Sequence, residues 1–302
     1  VIPEATSDQQ LLDPQVLAAA GHLPVTARLI AEGLQGGSHR SPFKGHSVDF
    51  ADHRPYVPGD DPRHLDWKVL GRRDRLVIKR FEAERDMGVT FVIDGSASMG
   101  YADQHGAAKG LTKYRYASVL AASLAFLVLR QRDRVGWLVA DEQARVARQP
   151  HSAAALDEIC LDLENHAPDH GTDFNAWDFL AEPNYRRGMI FLFSDCLVDH
   201  EHITLTLDRL RHRGHDVVVV SILTPGERRL DLPGPSRCQG LENEGEMVIE
   251  PRAIRSTYQD VVREHLQSIE AQCRKRRMIY QHVTIDEHPG GVLRRLLVAL
   301  AE

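Results

Sequence analysis

Gly88-Val89-Thr90-Phe91-Val92-Ile93-Asp94, followed by Gly95-Ser96-Ala97-Ser98, is an apolar run that ends in a loop of hard oxygens. Seven residues with almost no polar interruption predict a strand buried on both faces, the kind found in parallel sheets. In open α/β sheets ligands bind beyond the carboxyl ends of the strands, which is where Asp94, Ser96 and Ser98 fall. A carboxylate followed at two-residue steps by two hydroxyls offers three oxygen donors within one tight loop. Such donors suit Mg²⁺ (or Mn²⁺/Ca²⁺), which takes oxygen ligands at about 2.0–2.1 Å in the case of Mg²⁺ and keeps several waters.

The residues after this strand alternate between two periods. The pattern predicts strands over 134–140, 188–195, 216–223 and 278–285. Helices are predicted over 114–130, 152–163, 174–181, 202–212, 254–277 and 291–301. The 114–130 helix is apolar almost all round, so more than one side of it must be covered. An inserted hairpin or loop is read at about 225–253. Alternating strands and helices of this kind predict an α/β fold, with a mostly parallel sheet covered by helices on both faces. Two further oxygen-bearing pieces fall near strand or helix ends, Gly171-Thr172-Asp173 and Ser194-Asp195.

The N-terminal part differs. Residues 11–34 read as helical, broken near Gly21–Pro24 because proline cannot donate within a helix. Residues 36–87 are rich in Arg, Asp, Gly, Pro and aromatics, with turn chemistry at Pro58-Gly59-Asp60-Asp61-Pro62 and a strand-like piece over 76–81. No helical period is visible there, so strands and ordered loops are expected. The chain therefore reads as a helical segment (1–38), a small β-rich module (39–87) and an α/β domain (88–302).

Composition narrows the function. The chain has 302 residues, 37 Lys and Arg against 43 Asp and Glu, and 42% hydrophobic residues, which is a globular profile. Residues 86–251 carry a net charge of −9 and the flanking segments 40–85 and 252–302 carry +3 each. That favours a cation site and no nucleic acid. The four cysteines are far apart and suit a reducing compartment. The sixteen histidines show no zinc spacing. An aspartyl-phosphate phosphatase needs a second carboxylate where Ser96 stands, and no GxxxxGK[ST] loop is present. Cys196 has no paired histidine in sequence and reads as a small packed residue. The longest apolar run, over 119–129, is eleven residues, against about 20 for a membrane span. With no signal-type segment in VIPEATSDQQ, a cytoplasmic chain without a membrane span is expected.

Asp94, Ser96, Ser98, Thr172 and Asp195 together resemble the five-residue set of a metal-ion-dependent adhesion site (MIDAS), and residues 88–223 with 254–302 resemble a von Willebrand factor type A domain, Rossmann-like in fold. The upstream block adds Arg54, Tyr56, Gly59, Asp60, Arg63, Asp66, Trp67 and Arg72. This resembles the bacterial domain-of-unknown-function family 58, in which such a block precedes a von Willebrand A domain. The resemblance implies that Asp94 anchors the metal through water and that Ser96 and Ser98 coordinate it directly. Thr172 or Asp195 then adds further contact, and an open position takes an acidic side chain of a partner. It also implies a MoxR-type AAA+ ATPase as partner, with this chain as adaptor or co-chaperone and not as an enzyme. Some members carry membrane helices, and this chain is expected to be of the shorter soluble type. A metal-dependent hydrolase acting through the same site, with Asp173 or Asp195 as base, is the alternative. The arginine-rich block is either a brace, with arginine forks on carboxylates and Trp67 as anchor, or a docking surface.

Overall fold

The computed structural model describes residues 22–34, 47–57, 65–73, 75–84, 88–102, 108–140, 145–146, 154–168, 180, 185, 187–197, 200–232, 234–241 and 245–301. The chain divides into two compact units, one of Val1–Pro42 with Gly88–Glu302 and one of Phe43–Met87. The N-terminal segment, expected as a separate piece, thus belongs to the α/β unit.

That unit is built on a six-stranded sheet. Its strands are β3 (Gly88–Asp94), β4 (Arg134–Ala140), β5 (Arg145–Val146), β6 (Met189–Ser194), β7 (Asp216–Leu223) and β10 (Ile279–Thr284), in the order β10-β7-β6-β3-β4-β5. All neighbours run parallel except the short edge strand β5, which pairs antiparallel with β4. From β3 the chain moves first to β4 on one side and later to β6 on the other. The carboxyl end of β3 is therefore the switch point where such sheets open a crevice.

Alternate residues of each strand serve the two faces. On one face Val92, Leu138, Ile190, Leu192, Val217 and Val219 pack with Ile203, Leu207 and Leu210 of α5 (His200–His212) and with Ile269 and Cys273 of α7 (Pro251–Lys275). The other face carries Phe91 and Phe191, stacked with centroids 5.4 Å apart. It lies under α3 (Lys113–Arg130), whose burial on nearly every side fits its all-round apolar sequence. Packed on α3 are α1 (Leu23–Leu34), α4 (Ala154–Asn165) and α8 (Pro289–Ala301).

In α1, Leu23, Thr26, Ala27, Ile30 and Ala31 are buried, a one-face spacing. The helix starts at Leu23, within the break expected near Gly21–Pro24, and the residues before His22 lie outside those described. Pro24 sits in the first turn, where its missing N–H has no intrahelical acceptor to lose. The N–H of Leu23 in the same turn donates to Glu164 Oε1 at the end of α4, 2.6 Å away. The expected helix over 174–181 lies outside the described residues, apart from Leu180. The insert after β7 contains a short helix as well as a hairpin: α6 (Pro225–Arg229), then β8 (Ser236–Gln239) antiparallel to β9 (Glu246–Ile249).

The second unit pairs β1 (Ser47–Pro55) antiparallel with β2 (Val77–Glu84), with a bulge between Phe50 and Asp52. Between them lies a helix the sequence pattern did not show, α2 (Trp67–Arg73). Seven residues are too few for a visible period, and its start is marked by Asp66, whose Oδ1 accepts the Val69 N–H at 3.3 Å. Trp67 is 65% exposed. Gly59, Asp60 and Arg63, and the side chains of Arg54 and Arg72, lie outside what is described, so the expected arginine–carboxylate brace does too.

Candidate metal centre

Asp94 is the last residue of β3 and is buried. The loop beyond it folds back at once. Gly95 donates its N–H to the Ala140 carbonyl at the end of β4, 3.0 Å away. Ser96 donates its own N–H to Asp94 Oδ1, also at 3.0 Å. A side chain at position 95 would place its Cβ 2.7 Å from His166 Nε2 and 2.8 Å from Val139 Cγ1, so the tight turn needs glycine. The hydroxyls of Ser96 and Ser98 lie 2.9 Å apart at the start of a 3₁₀ turn, Ala97–Gly100.

The neighbouring strand closes the other side. Ser194, last in β6, donates its hydroxyl to Asp94 Oδ2 at 2.6 Å and accepts the Cys196 N–H at 2.9 Å. Asp195 is buried; its Oδ1 accepts the Leu197 N–H at 3.1 Å. Cys196 adopts φ +58°, a left-handed conformation that a non-glycine residue holds only when its surroundings fix it. Here the fixing contacts are the Ser194 bond and a 2.7 Å bond from His265 of α7 to the Cys196 carbonyl. The Cys196 thiol is pushed well up by burial and by Asp195 and Asp94, so it is no nucleophile.

The residue that sequence reasoning missed is Lys113. It opens α3, is fully buried, and donates its Nζ to Asp195 Oδ2 at 2.8 Å and to Glu227 Oε1. Glu227 belongs to α6, where it forms a capping box with Thr224: the Glu227 N–H reaches Thr224 Oγ1 at 3.0 Å and Glu227 Oε2 accepts the Thr224 N–H at 2.8 Å. Burial alone would lower the Lys113 pKa, but Asp195 and Glu227 outweigh it and hold the ammonium above its usual value. Tyr258 of α7 is raised, first by burial and then by Glu227, which places it beside this group. A lysine at a helix start reads as solvent-facing, and only the fold brings its two acids to it.

Two carboxylates, Asp195 and Glu227, thus face one ammonium, and Asp94 lies beside Asp195. The Asp94 pKa is raised to about 6, by burial first and then by Asp195, and hydrogen bonds from Ser194 and Ser96 only partly offset the rise. The fold brings together Asp94, Ser96, Ser98 and Asp195 of the expected set, while Thr172 lies outside the described residues. Among the described residues no group of three His, Cys, Asp or Glu forms a metal cluster. A cation here would be held by hydroxyls, carboxylate and water. That donor chemistry fits Mg²⁺, which keeps waters and needs few carboxylates. It does not fit zinc, which takes nitrogen and sulfur. Both oxygens of Asp195 are engaged, by Lys113 and the Leu197 N–H, and so are both of Asp94, by the Ser96 N–H and the Ser194 hydroxyl.

An uncharacterized protein of Mycobacterium tuberculosis (strain ATCC 25618 / H37Rv) is 30% identical over 227 residues, covering 73% of this chain and 68% of the relative. Among solved structures, an aerotolerance-related membrane protein from Bacteroides fragilis NCTC 9343 is similar at TM-score 0.45 and 15% identity, over 71% of this chain and 98% of that one. The SpRpn10 VWA domain is similar at TM-score 0.39 and 11% identity, over 69% and 94%. The cytoplasmic expectation is corrected here. The Bacteroides fragilis protein is named a membrane protein. No described helix is long and apolar enough to cross a membrane, but that absence does not place the chain in the cytoplasm. The family model described as protein of unknown function DUF58 matches residues 52–268, well over half of the chain, and the protein belongs to that family.

Proposed function

We propose that the chain is a protein-interaction module that works through a divalent cation, Mg²⁺ first, held by Asp94, Ser96 and Ser98 with Thr172 and Asp195 in support. When bound, the ion supplies a Lewis-acid position for a carboxylate of a partner protein. The chain's own residues set the stage. Ser194 fixes the Asp94 carboxylate, Gly95 lets the loop turn sharply, and Lys113 holds Asp195 in place. The observation that carries the reading is two hydroxyls 2.9 Å apart beside a buried carboxylate at the switch point of the sheet. The family resemblance points to a MoxR-type AAA+ ATPase as partner and to an adaptor or co-chaperone role.

The test is capture of a purified MoxR-type ATPase by the full chain, with Mg²⁺ and with EDTA, for the wild type and Asp94→Ala. The expected result is capture with Mg²⁺ alone, lost in the variant. Capture at full strength by Asp94→Ala in EDTA would overturn the metal bridge. The hydrolase alternative has less support. It needs a free general base, and Asp195 spends its oxygens on Lys113 and the Leu197 N–H.

A further inference from the structure

A second site lies beyond α6, on the far side from Lys113. Between α6, the outer half of α7 and the edge strand β10 is a cleft of about 470 Å³, within the range of small-ligand sites. Arg228 and Arg229 of α6 and Arg263 of α7 stand around it. The guanidinium groups of Arg228 and Arg229 make no ion pair or hydrogen bond among the described residues, whereas Arg263 is held by Asp260 at 2.8 Å. Glu270, the acid of the cleft, is bonded to Arg274 at 2.6 Å. Two uncommitted positive charges thus remain.

The sheet side of the cleft is polar in an unusual way. Tyr280 and His282 are two residues apart on β10 and share a face. Ser221 of β7 is the register partner of His282 and lies on that face too. The Tyr280 hydroxyl meets the Ser221 side chain and the His282 ring meets the Ser221 backbone. A hydroxyl both donates and accepts, so each group keeps capacity for a further hydrogen bond. Burial first, and Arg228 beside it, hold His282 below its usual pKa. The ring is therefore neutral near pH 7, with one nitrogen donating and one accepting. Val262 and Leu266 of α7 give the cleft an apolar wall.

We infer that this cleft binds a small organic phosphate, its phosphoryl oxygens on Arg228 and Arg229, with the Tyr280 hydroxyl and the His282 ring behind them and its organic body on Val262 and Leu266. Paired guanidinium forks match a doubly charged oxyanion. The volume far exceeds inorganic phosphate, so the remainder of the ligand is the part that meets the apolar wall. The inference does not depend on the metal reading, since none of the expected metal ligands lines the cleft.

The probe is phenyl phosphate, titrated into the full chain in phosphate-free buffer. Heat of binding and the His282 ring resonances are followed together. The expected result is one saturable site that shifts His282. Benzoate and inorganic phosphate should each bind about tenfold more weakly, since one carries a single charge on two oxygens and the other lacks the apolar body. Arg228→Gln/Arg229→Gln should weaken phenyl phosphate by about tenfold or more, and Arg263→Gln by less. These arginines are exposed or paired on the surface, so the variants keep the fold, which the melting curve checks. No saturable shift at His282, or unchanged affinity in the double variant, would overturn the site. Benzoate binding as tightly as phenyl phosphate would overturn the phosphate class.

Discussion

Two polar regions lie along one row of the sheet and are treated in opposite ways. At β3 and β6, Asp94 and Ser194 are hydrogen-bonded to each other, and the adjoining Asp195 is bonded to Lys113 and Leu197. On the adjoining strands the row continues through the register partners Ser221 of β7 and His282 of β10. The first region is acidic and closed by its own ion pairs; the second is neutral at its floor and carries two unpaired arginines at its rim. Helix α6 joins them, sending Glu227 to Lys113 and Arg228 and Arg229 toward the cleft. A satisfied polar cluster fixes a loop in a binding-ready shape. Adjacent arginines with no carboxylate of their own mark where an anionic ligand would complete the structure.

The largest break of this contrast is removal of the buried ammonium. Lys113→Met leaves Asp195 buried and unpaired, and should cost about 3–5 kcal/mol in urea unfolding. Adding Asp195→Asn and Glu227→Gln to the same chain should recover most of the loss, because the uncompensated charges are gone. If Lys113→Met were as stable as wild type, the ion pairs would not hold the site.

Next in size is the cation itself. Mg²⁺ at a hundred times its dissociation constant should add about 2.7 kcal/mol. For a domain of this size that is on the order of 5–10 °C in Tm. Asp94→Asn should abolish the shift, and Arg228→Gln/Arg229→Gln should leave it intact. A shift retained in Asp94→Asn would place the ion elsewhere.

The row of the sheet can be tested at neighbouring serines. Ser194→Ala removes the bond to Asp94 and leaves the buried Cys196 N–H without its acceptor, which should cost about 1–3 kcal/mol. Ser221→Ala removes only a hydroxyl that meets the Tyr280 phenol and should cost no more than about 0.5–1 kcal/mol. Equal costs for the two would erase the distinction between the regions.

Acid acts on a third group, away from both. The His215 ring bonds the Leu180 carbonyl at 3.0 Å and the Gly188 backbone at 3.3 Å. Its pKa is lowered from 6.5, by burial first and further by Arg187 and Arg213, against backbone bonds that raise it. The unfolded chain therefore takes up this proton first as pH falls. Stability is flat above about pH 7 and declines below 6.5 until the folded ring is protonated. The slope of Tm against pH should be shallower in His215→Gln and still present, because His282 and His288 are lowered too. An unchanged slope would remove His215 from the acid response.

What could be read from sequence follows the distance over which each signal acts. Asp94, Ser96 and Ser98 lie within five residues, and the apolar run before them fixes their place at a strand end. The parallel sheet was equally legible from the runs at β6 and β7. Lys113 was not, because its partners Asp195 and Glu227 are 82 and 114 residues away. The cleft was invisible for the same reason: Arg228 and His282 meet only after α7 has crossed between them. Helix α2 failed on length, because seven residues show no period.

The central claim is that Asp94 is the anchor of a cation site. Calorimetric titration of Mg²⁺ into the metal-free full chain tests it most directly. The expected result is one site in the wild type, the same site in Arg228→Gln/Arg229→Gln, and none in Asp94→Ala. No binding by the wild type, or equal binding by Asp94→Ala, would contradict it.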